Sequence, residues 1–156
     1  MKMEAIRMGC RVAVVLTAGL LACAPATSQR AGDQTTGCRV AAVAGLPAGP
    51  RRWYGGCTAK GAHGSGVVRV ADVAFYGILA NGSPVRGAIE DAAGVRFGRF
   101  VAARFVQSDQ PQDNLNSYRA AAAGARAAAM RFARANNRGS ANYYQGKAKM
   151  FDNYAH

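Results

Sequence analysis

An aromatic residue followed by glycine recurs at a nearly constant interval in the middle of the chain. WYGGC at 53–57 aligns with FYGIL at 75–79, and more weakly with RFGRF at 96–100. The aligned glycines, Gly55, Gly77 and Gly98, therefore lie 22 and 21 residues apart. A unit of this length holds two strands of about five to six residues and two turns, which make one β-hairpin. The interval predicts a mainly β fold, an antiparallel meander of hairpins over 38–110.

Further glycines follow the first two aromatic-glycine pairs. Together the two units contain Trp53-x-Gly55-x-Cys57, Gly61-Ala62-His63-Gly64-x-Gly66, Tyr76-Gly77 and Asn81-Gly82. This pattern, over about 51–105, resembles the membrane occupation and recognition nexus (MORN) repeat in the divergent form found in bacterial exported proteins. The resemblance implies a single-layer antiparallel sheet and a role as scaffold, spacer or membrane-associated adaptor. Catalysis is not a property of that repeat.

A stretch rich in alanine and arginine at 111–138 predicts one amphipathic α-helix. Pro111 suits a first helical turn, and Gly139 follows the last. A stripe of mostly small apolar residues has helical spacing and consists of Leu115, Tyr118, Ala122, Ala125, Ala129 and Phe132. The opposite half carries the candidate anion-contacting residues, which are Arg119, Arg126, Arg131, Arg134 and Arg138.

This helix is expected to cover one face of the sheet, which otherwise leaves aromatic side chains in water. The alternative is a helix that lies on a membrane or binds an anionic polymer. The remaining segment, 139–156, is interpreted as a polar tail with aromatic residues.

Residues 1–22 have the layout of a secretory signal, with a basic start and an apolar run at 12–22. A helix of that run would span roughly 16 Å, about half a hydrocarbon core, which disfavours a permanent transmembrane anchor. The run ends in Leu20-Leu21-Ala22-Cys23, which resembles the lipobox of bacterial lipoproteins. The resemblance implies lipidation of Cys23 with fatty acyl chains such as palmitate, and cleavage after Ala22.

With Ala24 rather than aspartate after the cysteine, the same resemblance favours the outer membrane, with the domain facing the periplasm. Residues 23–37 then form a lipidated flexible tether, small and polar in composition. The alternative is an ordinary signal cleaved after Ala24 or Ala26, which would release a soluble secreted factor.

Cysteine usage agrees with export. Once the signal is removed and Cys23 is lipidated, the chain keeps one pair, Cys38 and Cys57, and such a pair usually bridges in an oxidising compartment. Metal binding is the alternative, but the two histidines, His63 and His156, give no metal-ligand spacing. We expect a disulfide, and neither a metal nor a cofactor.

The chain carries 20 Lys+Arg against 8 Asp+Glu, a formal net charge of +12. For an exported, anchored protein this charge favours lipid phosphates or other envelope polyanions over nucleic acid, which we do not expect as a partner. A protein of the envelope is the other expected partner, and the oligomeric state is left open.

The sequence offers no set of catalytic residues. Ser65 lies between glycines but outside a Gly-x-Ser-x-Gly elbow. The sequence therefore predicts a non-enzymatic envelope lipoprotein, a scaffold or adaptor. The alternative is a periplasmic enzyme or enzyme accessory protein that uses His63 with Asp72 or Glu90.

Overall fold

The computed structural model describes residues 37–156. The predicted signal at 1–22, the lipidation site Cys23 and the tether up to residue 36 lie outside the described residues.

Six strands form one antiparallel sheet in which each strand pairs with the next in the chain. They are β1 (Arg52–Thr58), β2 (Gly61–Val70), β3 (Val73–Ala80), β4 (Ser83–Asp91), β5 (Gly94–Val101) and β6 (Arg104–Val106). The turn between β3 and β4 is Asn81-Gly82, with φ of 52° and 88°. Asparagine and glycine tolerate this left-handed backbone, which tight hairpin turns require. The predicted β-meander is confirmed.

The repeated glycines form one row across the sheet. Gly55 pairs with Gly66, Gly66 with Gly77, Gly77 with Gly87, and Gly87 with Gly98. A Cβ atom at Gly66 would lie 2.5 Å from the Trp53 ring, and one at Gly77 would lie 2.6 Å from the Phe75 ring. Aromatic rings therefore lie directly over the glycine row, which no larger residue could occupy without a shift.

The two adjacent aromatic residues of each of the first two repeats point to opposite faces, because side chains alternate along a strand. Trp53 and Phe75 belong to a core that includes Val43 and Leu46 from the segment before β1. This segment also pairs with the far edge of the sheet, where Ala44 forms a parallel bridge with Arg104. One face of the sheet is thus covered by residues 38–46.

In each of the three repeats, the aromatic residue directly before the aligned glycine lies on the other face and packs against two helices. These residues are Tyr54, Tyr76 and Phe97. The two helices are α1 (Pro111–Arg134) and α2 (Arg138–Asn153). The buried face of α1 differs from the predicted stripe, because Leu115 and Tyr118 are only half-buried. The buried residues of α1 are Ser117, Ala120, Ala121, Ala122, Gly124, Ala125, Ala128, Ala129 and Phe132.

The structure corrects the assignment of 139–156 as a tail, since α2 occupies most of it. Asn136, with φ of 55°, ends the first helix, and the Asn137 side chain accepts a hydrogen bond from Ser140 N at 3.0 Å. Asn137 is therefore an N-cap that starts a second helix. Two aromatic residues of α2, Tyr144 and Phe151, are buried and pack this helix into the core.

Cys38 and Cys57 lie at disulfide distance, with their Cα atoms 5.8 Å apart. The pair would join the start of the described chain to the end of β1, at the edge of the sheet.

Candidate functional site

An open cleft of about 1020 Å³ lies between the first hairpin and the turn that joins α1 to α2. The sheet contributes residues of β1 and β2 and the turn after β2, and the helices contribute the end of α1, the turn and the start of α2. The lining residues are Arg52, Tyr54, Arg69, Ala71, Phe132, Ala135, Asn136, Asn137, Arg138, Gly139, Ser140, Tyr143 and Tyr144.

Three arginines line the cleft, and no aspartate or glutamate is among its described lining residues. Arg52 and Arg69 are direct partners across β1 and β2. Like charges in directly opposed positions of a sheet are unfavourable. Arg138, the first residue of α2, brings a third guanidinium from the helical side. Arg69 and Arg138 form no ion pair with a residue in 37–156.

Arg69 is half-buried and interacts with the hydroxyl of Tyr144. Burial acts to lower the pKa of Arg69, but the hydrogen bond to Tyr144 and nearby tyrosine hydroxyls outweigh it, so the pKa is raised. Burial raises the pKa of Tyr144 to about 12, against the opposing effect of Arg69. At neutral pH, Arg69 is therefore a cation and Tyr144 is neutral.

The N-terminus of α2 opens into the same cleft. Gly139 and Ser140 are lining residues, and the first turn of the helix has no acidic side chain. The N–H groups at a helix N-terminus carry partial positive charge and favour anions. The backbone thus adds to the positive potential of the arginines.

Aromatic rings form the floor of the cleft. Tyr54 contacts Phe132 with ring centroids 4.9 Å apart, and Phe132 stacks on Tyr144 at 5.4 Å. Tyr143 lies at the rim and is 46% exposed, so it is available to a ligand.

A half-buried polar network lies next to Tyr143. The Tyr76 hydroxyl donates to Glu90 Oε2 at 2.8 Å, and Lys147 forms an ion pair with the same carboxylate. Lys147 also lies 5.7 Å from the centre of the Tyr143 ring. Burial, followed by hydrogen bonds with Tyr143 and Glu90, raises the pKa of Tyr76. Because Lys147 compensates Glu90, this network adds little negative potential to the cleft.

A second pair of opposed arginines, elsewhere in the sheet, is bridged by a carboxylate. Arg86 and Arg99 are direct partners across β4 and β5. Asp113, in the first turn of α1, accepts from Arg86 Nη2 at 3.2 Å and lies 3.7 Å from Arg99 Nε. Hydrogen bonds from Arg86 and Ser108, together with the charge of Arg99, lower the pKa of Asp113. A carboxylate of α1 thus bridges these two arginines of the sheet.

The structure brings only one of the five predicted anion-contacting residues into the cleft, Arg138. Arg119 and Arg134 are exposed on α1, and Arg131 is half-buried there. Arg126 forms an ion pair with Asp152 of α2 at 2.6 Å, so it joins the two helices.

Sequence reasoning missed Arg52 and Arg69. The hairpin register could have identified them as neighbours, because the two residues lie at nearly equal distances along the chain from the turn at 59–60.

His63 is exposed at the start of β2, and its Nδ1 accepts from Asn81 N at 3.4 Å. Asp72 lies in the turn after β2, and Glu90 pairs with Ala74, next to that turn. About seven strand residues at roughly 3.3 Å each separate the two ends of β2. The structure therefore does not bring His63 together with Asp72 or Glu90.

No family model matches the chain, and neither a curated protein nor a solved structure matches it. Within 37–156, neither helix has the length and apolar character needed to cross a membrane. The same residues contain no group of three or more histidine, cysteine or acidic side chains that could hold a metal ion.

Proposed function

We propose that the protein is a non-enzymatic lipoprotein of the cell envelope, an adaptor that binds an anionic envelope component in the cleft between the first hairpin and the α1–α2 turn. The observation that carries the proposal is the lining of this cleft, with three arginines, a helix N-terminus and no acidic side chain among the described residues.

The electrostatics of the cleft support an anionic partner. Arginine is the preferred residue for phosphate and carboxylate because its planar guanidinium donates two parallel hydrogen bonds.

The envelope location rests on the sequence resemblance at Leu20-Leu21-Ala22-Cys23. An acylated Cys23 would anchor the chain in the outer membrane, facing the periplasm. A tether of 14 residues, 24–37, gives a reach of roughly 20 Å, so the cleft could meet ligands at the membrane surface. Incorporation of labelled palmitate into the wild type but not into Cys23→Ala is expected, and equal labelling of both would contradict the anchor.

The MORN-like sheet, in this proposal, is a rigid platform and not a catalytic centre. We propose that a Cys38–Cys57 disulfide forms in the periplasm. This disulfide, together with the glycine row and the aromatic rings over it, fixes the first hairpin. That hairpin carries Arg52 and Arg69, so its rigidity fixes one wall of the cleft.

The test compares two charge-matched double variants of the full chain in nonionic detergent. The cleft variant is Arg69→Gln with Arg138→Gln, and the control is Arg119→Gln with Arg134→Gln on the exposed side of α1. Binding to immobilised polyphosphate is measured as a function of salt. Each arginine that contacts a phosphate adds about one to the slope of log affinity against log salt.

We expect the cleft variant to lose about two units of slope and the control to lose little. Equal losses in both variants would mean that net charge alone drives binding, and the cleft would not be the site. No salt-dependent binding by the wild type would contradict an anionic partner altogether.

A further inference from the structure

The cleft contains polar and aromatic side chains in addition to the cationic groups that would bind an anion, and its lining divides into two parts. Arg69, Arg138 and the start of α2 form a cationic part, while Asn136, Ser140 and Tyr143 form a polar rim above an aromatic floor. A volume of about 1020 Å³ greatly exceeds that of a phosphate group. The ligand is therefore expected to carry an anionic group on a larger polar body.

Another site in the protein, around Asp113, binds an oxyanion with the same kinds of group as the cationic part of the cleft. At the Asp113 site, an oxyanion is held by a sheet arginine, Arg86, near the start of a helix, and the Ser108 hydroxyl donates to Asp113 Oδ2 at 3.1 Å. The cleft presents the same kinds of group, a sheet arginine in Arg69, a serine in Ser140 and a helix start in α2. The difference is that no described carboxylate lines it.

A phosphate monoester fits this part better than a single carboxylate. Arg69 lines the cleft from the sheet, and Arg138 lines it from the start of α2, where the helix N-terminus also favours an anion. Three terminal oxygens and close to two negative charges can serve several converging donors at once. A carboxylate offers two oxygens and one charge, as at Asp113, where two arginines share it.

The rest of the cleft suits a sugar ring. Asn136, Ser140 and Tyr143 offer amide and hydroxyl groups that can donate and accept hydrogen bonds, as vicinal hydroxyls require. Tyr143, exposed at the rim, offers a ring face against which the C–H face of a pyranose can pack.

Building on the proposed function, we propose that the ligand of the cleft is a phosphorylated sugar, with its phosphate between Arg69, Arg138 and the α2 N-terminus and its hydroxyls at the rim. The sugar phosphate is either free or the headgroup of a phosphorylated glycolipid. An acidic peptide is the competing class, and the test includes it.

The test is isothermal titration of the full chain in nonionic detergent with glucose 1-phosphate, glucose and inorganic phosphate. We expect glucose 1-phosphate to bind at least about tenfold more tightly than either of the other two, because only it fills both parts of the cleft. Equal affinity for inorganic phosphate, or tighter binding of a glutamate-rich peptide, would overturn the proposal.

Variants locate the site. Arg138→Gln, an exposed position, and Arg69→Gln are each expected to weaken glucose 1-phosphate binding by about tenfold or more. Arg119→Gln is the charge-matched control and should leave the affinity unchanged. Circular dichroism melting checks that Arg138→Gln stays folded, so that weaker binding cannot be attributed to unfolding. Unchanged affinity in folded Arg138→Gln would overturn the placement.

The source of the sugar phosphate is distinguished by reconstituting the lipidated chain in phosphatidylcholine vesicles with and without lipid A. If lipid A occupies the cleft, the apparent affinity for free glucose 1-phosphate falls in its presence, which supports a membrane source. An unchanged affinity supports a soluble source.

The two proposals fail in different ways. If the cleft variant loses polyphosphate binding but the wild type does not bind glucose 1-phosphate, the sugar-phosphate proposal is wrong. The proposal of an anion-binding cleft then still holds. Polyphosphate binding that the cleft variant does not alter would remove both.

Discussion

Gly124 of α1 lies directly on the backbone of Gly66 in β2. A Cβ atom at Gly124 would stand 2.5 Å from the Gly66 carbonyl oxygen and 2.5 Å from Gly77 N. The helix therefore crosses the sheet over the glycine row, at a distance that only glycine allows. This contact sets how closely α1 approaches the sheet and, through the α1–α2 turn, where the helical wall of the cleft stands.

Gly124→Ala is therefore expected to destabilise the protein by about 1–3 kcal/mol, because the new methyl group meets backbone atoms that cannot move aside. The effect opposes the intrinsic preference of alanine for helices, which is worth about 1 kcal/mol over glycine. Gly146→Ala in α2 is the matched control, since nothing lies within 4 Å of its Cβ position. Urea unfolding should show a loss for the first variant and a small gain for the second, and two gains would disprove the close contact.

Replacing both Cys38 and Cys57 by serine is expected to lower the free energy of unfolding by about 3 kcal/mol, the chain-entropy value for a loop of this size. The two residues are 19 positions apart. Unfolding with and without a reductant measures the effect. The wild type should respond to reduction and the double variant should not. Free thiols at both positions in protein purified without a reductant would contradict the disulfide.

Tyr76→Phe is expected to cost about 1.5–3 kcal/mol, the range for a hydrogen bond to a charged partner. The hydroxyl donates to Glu90 at 2.8 Å, and Tyr76 is fully buried. Tyr143→Phe is the control, because Tyr143 is 46% exposed and its hydroxyl lies 3.5 Å from that of Tyr76. Its loss should change stability by less than about 0.5 kcal/mol. Similar losses in the two variants would show that the Glu90 contact does not set the stability.

Stability is expected to fall as the pH rises through the range in which Tyr144 ionises. Burial raises its pKa from 10.0 to about 12, so the unfolded chain releases this proton first. Between about pH 10 and 12 the unfolded state thus binds fewer protons than the folded state, and the free energy of unfolding decreases with pH. Urea midpoints at pH 8, 10 and 11 test this.

Tyr144→Phe should lose less stability than the wild type between pH 8 and 11, while Tyr154→Phe, at a side chain that is 51% exposed, should follow the wild type. The same alkaline loss in all three proteins would assign the effect to other groups.

The meander, its approximate boundaries and the start of α1 could be predicted from the sequence, because each depends on local rules. Asn81-Gly82 specifies a hairpin turn, Pro111 suits a first helical turn, and alternation sends Trp53 and Tyr54 to opposite faces. The N-terminus of α2 was harder to predict. The pair Asn136-Asn137 is typical of the end of a helix. Only the hydrogen bond from Ser140 N to the Asn137 side chain shows that Asn137 also starts a new helix.

The candidate site was predicted least well. Helical spacing grouped five arginines of 111–138 on one half of a helix, yet only Arg138 reaches the cleft. Its partners Arg52 and Arg69 belong to another element, and spacing along α1 could not reveal them.

By itself, the sequence determined the strands, the glycine row and the aromatic alternation, because these follow from steric limits on each residue and its neighbours along the chain. Only the tertiary structure decided which charges meet. Electrostatic energy depends on distance in space, and Arg69 and Arg138 share a cleft through the register of one hairpin and the turn between two helices. For the same reason, Arg86 and Arg99 meet a carboxylate in Asp113, whereas the described residues that line the cleft include three arginines and no acidic side chain.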